Sequence, residues 1–197
     1  MPPSGESRGS PPAWERVESE PLHEYAMFTT RRDVVRSPKD GSLQEFDIAE
    51  SPDGVTLLAL TRERELVMVE QFREPERRVT LETPSGVVED GEPPIEAGLR
   101  ELREETGYEG DDAELLGTIT LNPSWQTTRV HVVRVRNVRR TSDKELDEAE
   151  DTRVCLVPLE QAIRGVASGE IYVAVTISAL ALLQWQGDGE HTSEGER

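Results

Sequence analysis

Gly86-Val87-Val88-Glu89-Asp90-Gly91-Glu92, seven intervening residues, then Arg100-Glu101-Leu102-Arg103-Glu104-Glu105-Thr106-Gly107-Tyr108 is the stretch whose reading decides this chain. Its pattern predicts a helix over 95–106. Pro93 and Pro94 fall near the first turn, where a missing N–H leaves no intrahelical bond unmade, and Gly107 falls where a left-handed cap is expected. On that helix Glu101, Glu104 and Glu105 stand at i, i+3 and i+4, so their carboxylates project from one face. Like charges so placed repel by about 0.2–0.5 kcal/mol per pair. A solvated acidic face is the bland reading of three such glutamates. Hard cations reverse the sign, because Mg²⁺ takes oxygen ligands and is shared between a few carboxylates and substrate phosphates. Leu99 and Leu102 lie on the face that packs against a sheet. Arg100 is within reach of Glu92, which would fix the preceding loop, and Gly86 and Gly91 let that loop turn tightly.

Outward from this segment the chain reads as strand-rich. Short β-branched runs at 54–60 and 66–72 predict two buried strands around a charged turn. Segments 25–36 and 43–49 predict a hairpin about the turn signal Ser37-Pro38-Lys39-Asp40-Gly41. Further strands are expected at 113–121 and 129–137, and helices at 158–167 and 174–185. No internal repeat and no inter-domain linker interrupts the pattern. The expectation is one α/β domain over 14–186, with N-terminal strands at about 25–49 and a catalytic core at about 54–186. The polar ends 1–13 and 187–197 read as disordered.

Composition narrows the function. The chain of 197 residues carries 40 acidic and 22 basic side chains, a formal net charge of −18. Such a surface disfavours binding to a nucleic-acid backbone. A small polyanion is still accessible to it where clustered carboxylates hold divalent cations. No apolar run approaches the roughly 20 residues that cross a bilayer, so no membrane partner is expected. The start, MPPSGESRGSPPAWE, lacks the layout of a secretory signal, and a cytoplasmic location is expected. The single cysteine, Cys155, excludes an internal disulfide and a cysteine-built zinc site, and reads as a small core residue. His23, His131 and His191 show no metal-site spacing.

The quoted segment resembles the Nudix box, Gly-x5-Glu-x7-Arg-Glu-U-x-Glu-Glu-x-Gly-U, with U a bulky apolar residue. Gly86, Glu92, Arg100, Glu101, Glu104, Glu105 and Gly107 meet every fixed position, with Leu102 and the less usual Tyr108 at the U positions. The resemblance implies an α/β/α sandwich around a mixed sheet with an extra N-terminal β-hairpin. It also implies Mg²⁺, with Mn²⁺ as a substitute, held by Glu101, Glu104, Glu105 and the backbone carbonyl of Ser85. Glu104, Glu105 and Arg100 are thereby placed in the catalytic set. Metals so held neutralise a diphosphate and lower the pKa of an attacking water.

The flanks point to a subgroup. Glu82-Thr83-Pro84-Ser85-Gly86 looks like the Glu-Leu-Pro-Ala-Gly run of ADP-ribose pyrophosphatases, and Val69-Glu70-Gln71-Phe72-Arg73 like their Glu-Gln-Tyr-Arg strand end. In that group the arginine matching Arg73 lies near the nucleotide and phosphates, which places Arg73 and Glu82 at the substrate. The extra strands of that group exchange across a homodimer, so a homodimer is expected, with Phe28 or Tyr25 stacking on a base or serving as core aromatics. The segment Glu148-Ala149-Glu150-Asp151 resembles the loop whose glutamate activates the attacking water. Glu148 is the first choice for that base and Glu150 the second, against a reading of both as solvated loop acids. One stretch departs. Where the group carries Pro-Gly-Phe-Ser/Thr and an acid, this chain has Asn122-Pro123-Ser124-Trp125-Gln126-Thr127-Thr128-Arg129. Trp125 either packs on a substrate ring or closes the core, and Arg129 either meets a phosphate or stays solvated.

The activity implied is hydrolysis of a nucleoside-diphosphate sugar, with ADP-ribose giving AMP and ribose 5-phosphate as the leading case. Competing readings are another diphosphate substrate, such as GDP-mannose, NADH or an oxidised nucleoside triphosphate, and a non-catalytic sugar-nucleotide-binding regulator. The complete box speaks against the regulator.

Overall fold

The computed structural model describes residues 10–144 and 152–186. They group into two compact units, one of residues 10–51 with 122–127 and the other of the remaining described residues.

The first unit is a three-stranded antiparallel sheet, with β1 (Glu15–Glu24), β2 (Thr29–Arg36) and β3 (Leu43–Glu50) side by side in that order. The expected hairpin is therefore β2–β3, closed by a loop in which Ser37 N–H donates to Ser42 O at 2.8 Å. Its first strand starts later than the pattern from residue 25 suggests. Tyr25–Phe28 is a turn, with Tyr25 N–H on Phe28 O at 2.9 Å, and the strand begins at Thr29. Before that turn lies β1, which the sequence does not announce. Its residues, ERVESEPLHE, are charged, carry no regular apolar alternation and are all exposed. Pairing with β2 makes it a strand, through register shifts at Arg16/Glu18 and Pro21/His23. Residues 122–127 attach by an isolated parallel bridge, Ala49 to Gln126, where Ala49 N–H donates to Trp125 O at 2.9 Å.

The second unit opens with β4 (Gly54–Leu60), β5 (Glu65–Arg73), β6 (Arg78–Glu82) and β7 (Ser85–Val87), then α1 (Pro94–Thr106). After it come β8 (Tyr108–Glu109), β9 (Asp112–Thr120), β10 (Arg129–Arg136) and β11 (Arg139–Arg140). Across the undescribed 145–151 follow β12 (Thr152–Pro158), α2 (Leu159–Ser168) and α3 (Ala174–Gln186). The main sheet runs β12-β5-β4-β10-β9. It is mixed, because β10 lies parallel to β4 while the other pairings are antiparallel.

One irregularity in this sheet builds the site. Strands β4 and β5 pair only at Leu60/Leu66 and then diverge. The chain 82–87 fills the gap, with β6 on β5, β7 on β4, and Leu57 N–H donating to Pro84 O at 2.9 Å. The backbone at Ser85 and Gly86 is thus held open at the sheet's split, facing α1.

A core lies on each side of the sheet. Leu58, Leu66, Met68, Val132 and Ile171 pack with α2 and α3, whereas Val55, Leu57, Val67, Leu102 and Val133 pack with α1. Burying each leucine contributes about 1.5–3 kcal/mol, so both helical layers are fixed to the sheet, as expected for the α/β/α sandwich. Cys155 is half-buried against the α2/α3 core, and burial and then Glu70 push its thiol pKa up.

Candidate active site

Helix α1 starts with Pro94 in its first turn and ends at Gly107, whose φ of 73° and N–H to Arg103 O form the predicted left-handed cap. Between these ends, Leu102 is fully buried under the sheet. That contact fixes the rotation of the helix and turns Glu101, Glu104 and Glu105 toward the split strands.

The three carboxylates meet different surroundings. Glu105 is buried, and its Oε2 accepts the Ser85 N–H at 3.0 Å. Glu101 presses against the neighbouring Gly86, where a Cβ would stand 1.9 Å from its carboxyl carbon, so any other residue at 86 would displace it. Glu104 is more open. Arg100 reaches across the helix face to several acids at once. Its Nη1 donates to Glu101 Oε1 at 2.8 Å and Glu104 Oε2 at 3.2 Å. Its Nε and Nη2 hold Glu92 at 3.0 Å each, and Nη2 also donates to Val87 O at 2.9 Å. The Glu92–Arg100 pair follows from the spacing; the grip on two further glutamates does not. Hydrogen bonds from Arg100 hold the Glu92 carboxyl below the usual carboxylate range, and Glu92, then Glu101 and Glu104, raise the guanidinium pKa against the opposing effect of burial.

In this arrangement no three His, Cys, Asp or Glu side chains among the described residues converge on one point, and the guanidinium is the counter-charge to Glu101 and Glu104. The donor set nonetheless suits a hard divalent cation. It is all oxygen, it carries three carboxylates on one face, and it lies against backbone that only glycine leaves bare.

Beside this face a cleft of about 520 Å³ opens, walled by Ser85 and Gly86 and continued by Arg73, Thr80, Glu82 and Tyr172. That volume lies within the range of small-molecule sites. Its polar feature is a two-pronged ion pair, with Arg73 Nε on Glu82 Oε1 and Nη2 on Glu82 Oε2, both at 2.8 Å. Thr80 adds a short hydrogen bond to Glu82. Burial pushes the Glu82 carboxyl pKa up, but the bonds from Arg73 and Thr80 outweigh it and hold the group below the usual range. Arg78 stacks over the Tyr172 ring at 4.0 Å.

Other residues singled out by the sequence have their own surroundings. Phe28 stacks on Tyr25 at 4.6 Å in the first unit, and Trp125, about half exposed, belongs to that unit too. Arg129 is exposed at the start of β10, its N–H on Asp53 at 3.0 Å. Glu148 and Glu150 lie outside the described residues. Sequence reasoning does not find Thr80 or Tyr172, which come to the cleft from a short strand and from the residues before α3. A sequence run carries no signal for that convergence.

Comparison with known proteins agrees with this construction. The NUDIX domain family matches residues 50–174. An ADP-ribose pyrophosphatase of Bacillus subtilis (strain 168) is 38% identical over 146 residues, covering 74% of this chain and 79% of that protein. A methanol dehydrogenase activator of Bacillus methanolicus is 30% identical over 176 residues, covering 89% and 95%. A crystal structure of an ADP compounds hydrolase superposes with a TM-score of 0.78 over 90% of this chain and 98% of that one, at 21% identity, a likeness of fold. With a complete box on a helix facing the split sheet, and a family match over most of its length, this chain belongs to the Nudix hydrolase family.

Proposed function

We propose that the protein hydrolyses the diphosphate bond of a nucleoside-diphosphate sugar, ADP-ribose first among them, yielding AMP and ribose 5-phosphate. The observation that carries this reading is one wall, Ser85–Gly86, shared by the acidic face of α1 and a nucleotide-sized cleft with Arg73 inside it. The likeness to an ADP-ribose pyrophosphatase supports the substrate.

Glu101, Glu104, Glu105 and the Ser85 carbonyl would hold Mg²⁺, or Mn²⁺ in its place, with Glu101 and Glu104 released from Arg100. Bound there, the cation supplies charge neutralisation of the diphosphate and a water of lowered pKa. Arg73, oriented by Glu82, binds a phosphate oxygen from inside the cleft. Arg100 keeps Glu92 and the Val87 carbonyl in place, so the loop before α1 holds its shape while the glutamates exchange partners. Glu148 takes the proton of the attacking water, with Glu150 next in line. Phe28, Trp125 and Arg129 contribute to the base or sugar side, and the departure at 122–129 is the element that sets sugar choice.

Residues 14–186 act as one catalytic module in this reading. It works as a homodimer joined through the β1–β3 sheet, which exposes Trp14, Leu22, Met27 and Phe46. Analytical ultracentrifugation tests the dimer. No described helix is long and apolar enough to cross a membrane, and cell fractionation tests the cytoplasmic location.

The deciding experiment follows release of the nucleoside monophosphate from a panel of sugar nucleotides, NADH and nucleoside triphosphates with Mg²⁺ and after chelation. Chelator-sensitive turnover of ADP-ribose is expected. Turnover confined to GDP-mannose or NADH moves the substrate and makes 122–129 the segment to exchange. No turnover with metal bound favours a binding regulator.

A further inference from the structure

A chain of four hydroxyls, three of them buried, runs through the split in the sheet. Ser85 Oγ donates to Thr56 Oγ1 at 2.8 Å, Thr56 Oγ1 lies 2.7 Å from Thr83 Oγ1, and Thr83 Oγ1 lies 3.2 Å from Thr176 Oγ1. The Thr83 N–H also donates to Thr176 Oγ1 at 3.2 Å. Thr56, Thr83 and Thr176 are at most 1% exposed. One direction of donation serves every link, Ser85 to Thr56, Thr56 to Thr83 and Thr83 to Thr176, with the Ser85 proton shared between Thr56 Oγ1 and the Thr83 carbonyl, 2.9 Å away. At one end, the N–H of Ser85 continues the path to the carboxylate of Glu105. At the other, Thr176 sits in the first turn of α3, beside Val173, Ala174 and Val175 on the cleft wall.

Burying three hydroxyls beside one another, with the half-buried Ser85 at their end, is costly unless each finds a partner, and a chain whose members satisfy one another defines one geometry rather than several. Apolar residues of the same shape would fill this space without that demand. Two of the four hydroxyls, Thr83 and Ser85, come from the very positions where the run Glu82–Gly86 departs from Glu-Leu-Pro-Ala-Gly. The departures and the contacts coincide, although the four residues span positions 56 to 176.

We propose that the hydroxyl chain Thr176–Thr83–Thr56–Ser85 is a positioning device that holds the Ser85 backbone and the Glu105 carboxylate in fixed relation to the first turn of α3, so that divalent-cation binding on α1 depends on hydroxyls up to the cleft wall. None of the three threonines touches the cation or substrate; they act through Ser85. The inference rests on the reading of Glu105 and Ser85 as cation ligands.

The test is Mn²⁺ binding to the full-length protein without substrate, followed by isothermal titration calorimetry, in paired variants. Thr→Val keeps the shape and removes the hydroxyl, whereas Thr→Ser keeps the hydroxyl and removes a methyl. Supporting groups behind metal ligands set affinity by about 10–100-fold. T56V and T83V should therefore weaken Mn²⁺ binding about tenfold, with T56S and T83S staying within about twofold of the parent. T176V, farthest from α1, should weaken it in the same direction by about threefold, and it serves if a variant nearer the sheet fails to fold. A packing role gives the reverse order, serine worse than valine. That order, or parental affinity in the valine variants, overturns the proposal. E105Q is the control: lost Mn²⁺ affinity there with none lost in T56V sinks the hydroxyl chain alone, and unchanged affinity in E105Q sinks the ligand assignment beneath it.

Discussion

Two arginine–glutamate assemblies flank the Ser85–Gly86 backbone, and they differ in kind. Arg73 and Glu82 form a two-pronged fork. The Glu82 side chain is 7% exposed, both its oxygens are taken by the same guanidinium, and Thr80 adds a further bond. Arg100 instead spreads its donors over Glu92, Glu101, Glu104 and the Val87 carbonyl, with Glu104 the most open of the three acids. A buried carboxylate matched by a fork has nowhere else to go, because separating the pair strands the Glu82 charge away from water. An arginine shared among several acids can yield one of them to a competing cation while the others keep its charge matched. The first arrangement is a lock for orienting a substrate-binding group. The second is a counter-charge that can be exchanged while the loop stays anchored.

If the acids beside Arg100 are there to be handed to a cation, the heaviest loss of activity should come from Glu105, the buried member of that face. E105Q is expected to lower kcat for ADP-ribose by about 10²–10³-fold, the scale of losing one strong transition-state electrostatic contact, while the thermal midpoint shifts by only a few degrees. Steady-state kinetics with a calorimetric melt checks both. Near-parental kcat would remove Glu105 from the metal-binding set.

E82Q breaks the lock and should destabilise the fold by about 2 kcal/mol, the range for hydrogen bonds to a charged group, and raise KM as Arg73 loses its orientation. The pH dependence has a defined sign. Because Glu82 is held below its ordinary pKa, its ionised form contributes stability that is complete above the unfolded carboxylate range, near about 4.3. That contribution is lost as pH falls through the folded value. Urea unfolding at several pH values should therefore show the parent and E82Q well separated at neutral pH and converging in acid. A gap that persists in acid would mean the pair is not what stabilises this corner.

A smaller change is expected at Arg100. R100Q should lower the thermal midpoint of the metal-free protein by a few degrees, about 1 kcal/mol, because Glu101 and Glu104 lose their counter-charge. Adding Mg²⁺ should narrow the difference. If the gap is unchanged or widens with Mg²⁺, the guanidinium and the cation are not serving the same carboxylates.

Much of the acidic helix is legible from its residues because it is local. Helix α1, its proline start, its glycine cap and the i, i+3, i+4 glutamates follow from spacing alone, and so do the β-branched runs of β4 and β5. Strand β1 is not legible, because ERVESEPLHE has no alternation to read and becomes a strand by pairing with β2. Strand β6 is hidden as well: its five residues owe their conformation to β5, in a register that pairs Arg73 with Arg78 and Glu82 with Val69, so that the long Arg73 side chain reaches along the strand pair to Glu82. Arg100's extra partners cannot be read either, since spacing places side chains on a face but does not apportion about five N–H donors among the acceptors there.

Periodicity and a compact motif were thus enough to define the family, the α/β/α layering, and the residues whose charges must be met by a cation or by arginine. Folding in three dimensions settled the rest: where β4 and β5 part, which backbone fills that opening, and how Thr56, Thr83, Ser85 and Thr176 come to share one line of hydrogen bonds. Burial is the cause, because it removes water as an alternative partner. Which polar groups must then satisfy one another is fixed by the packing of distant strands and helices, and no local pattern records it.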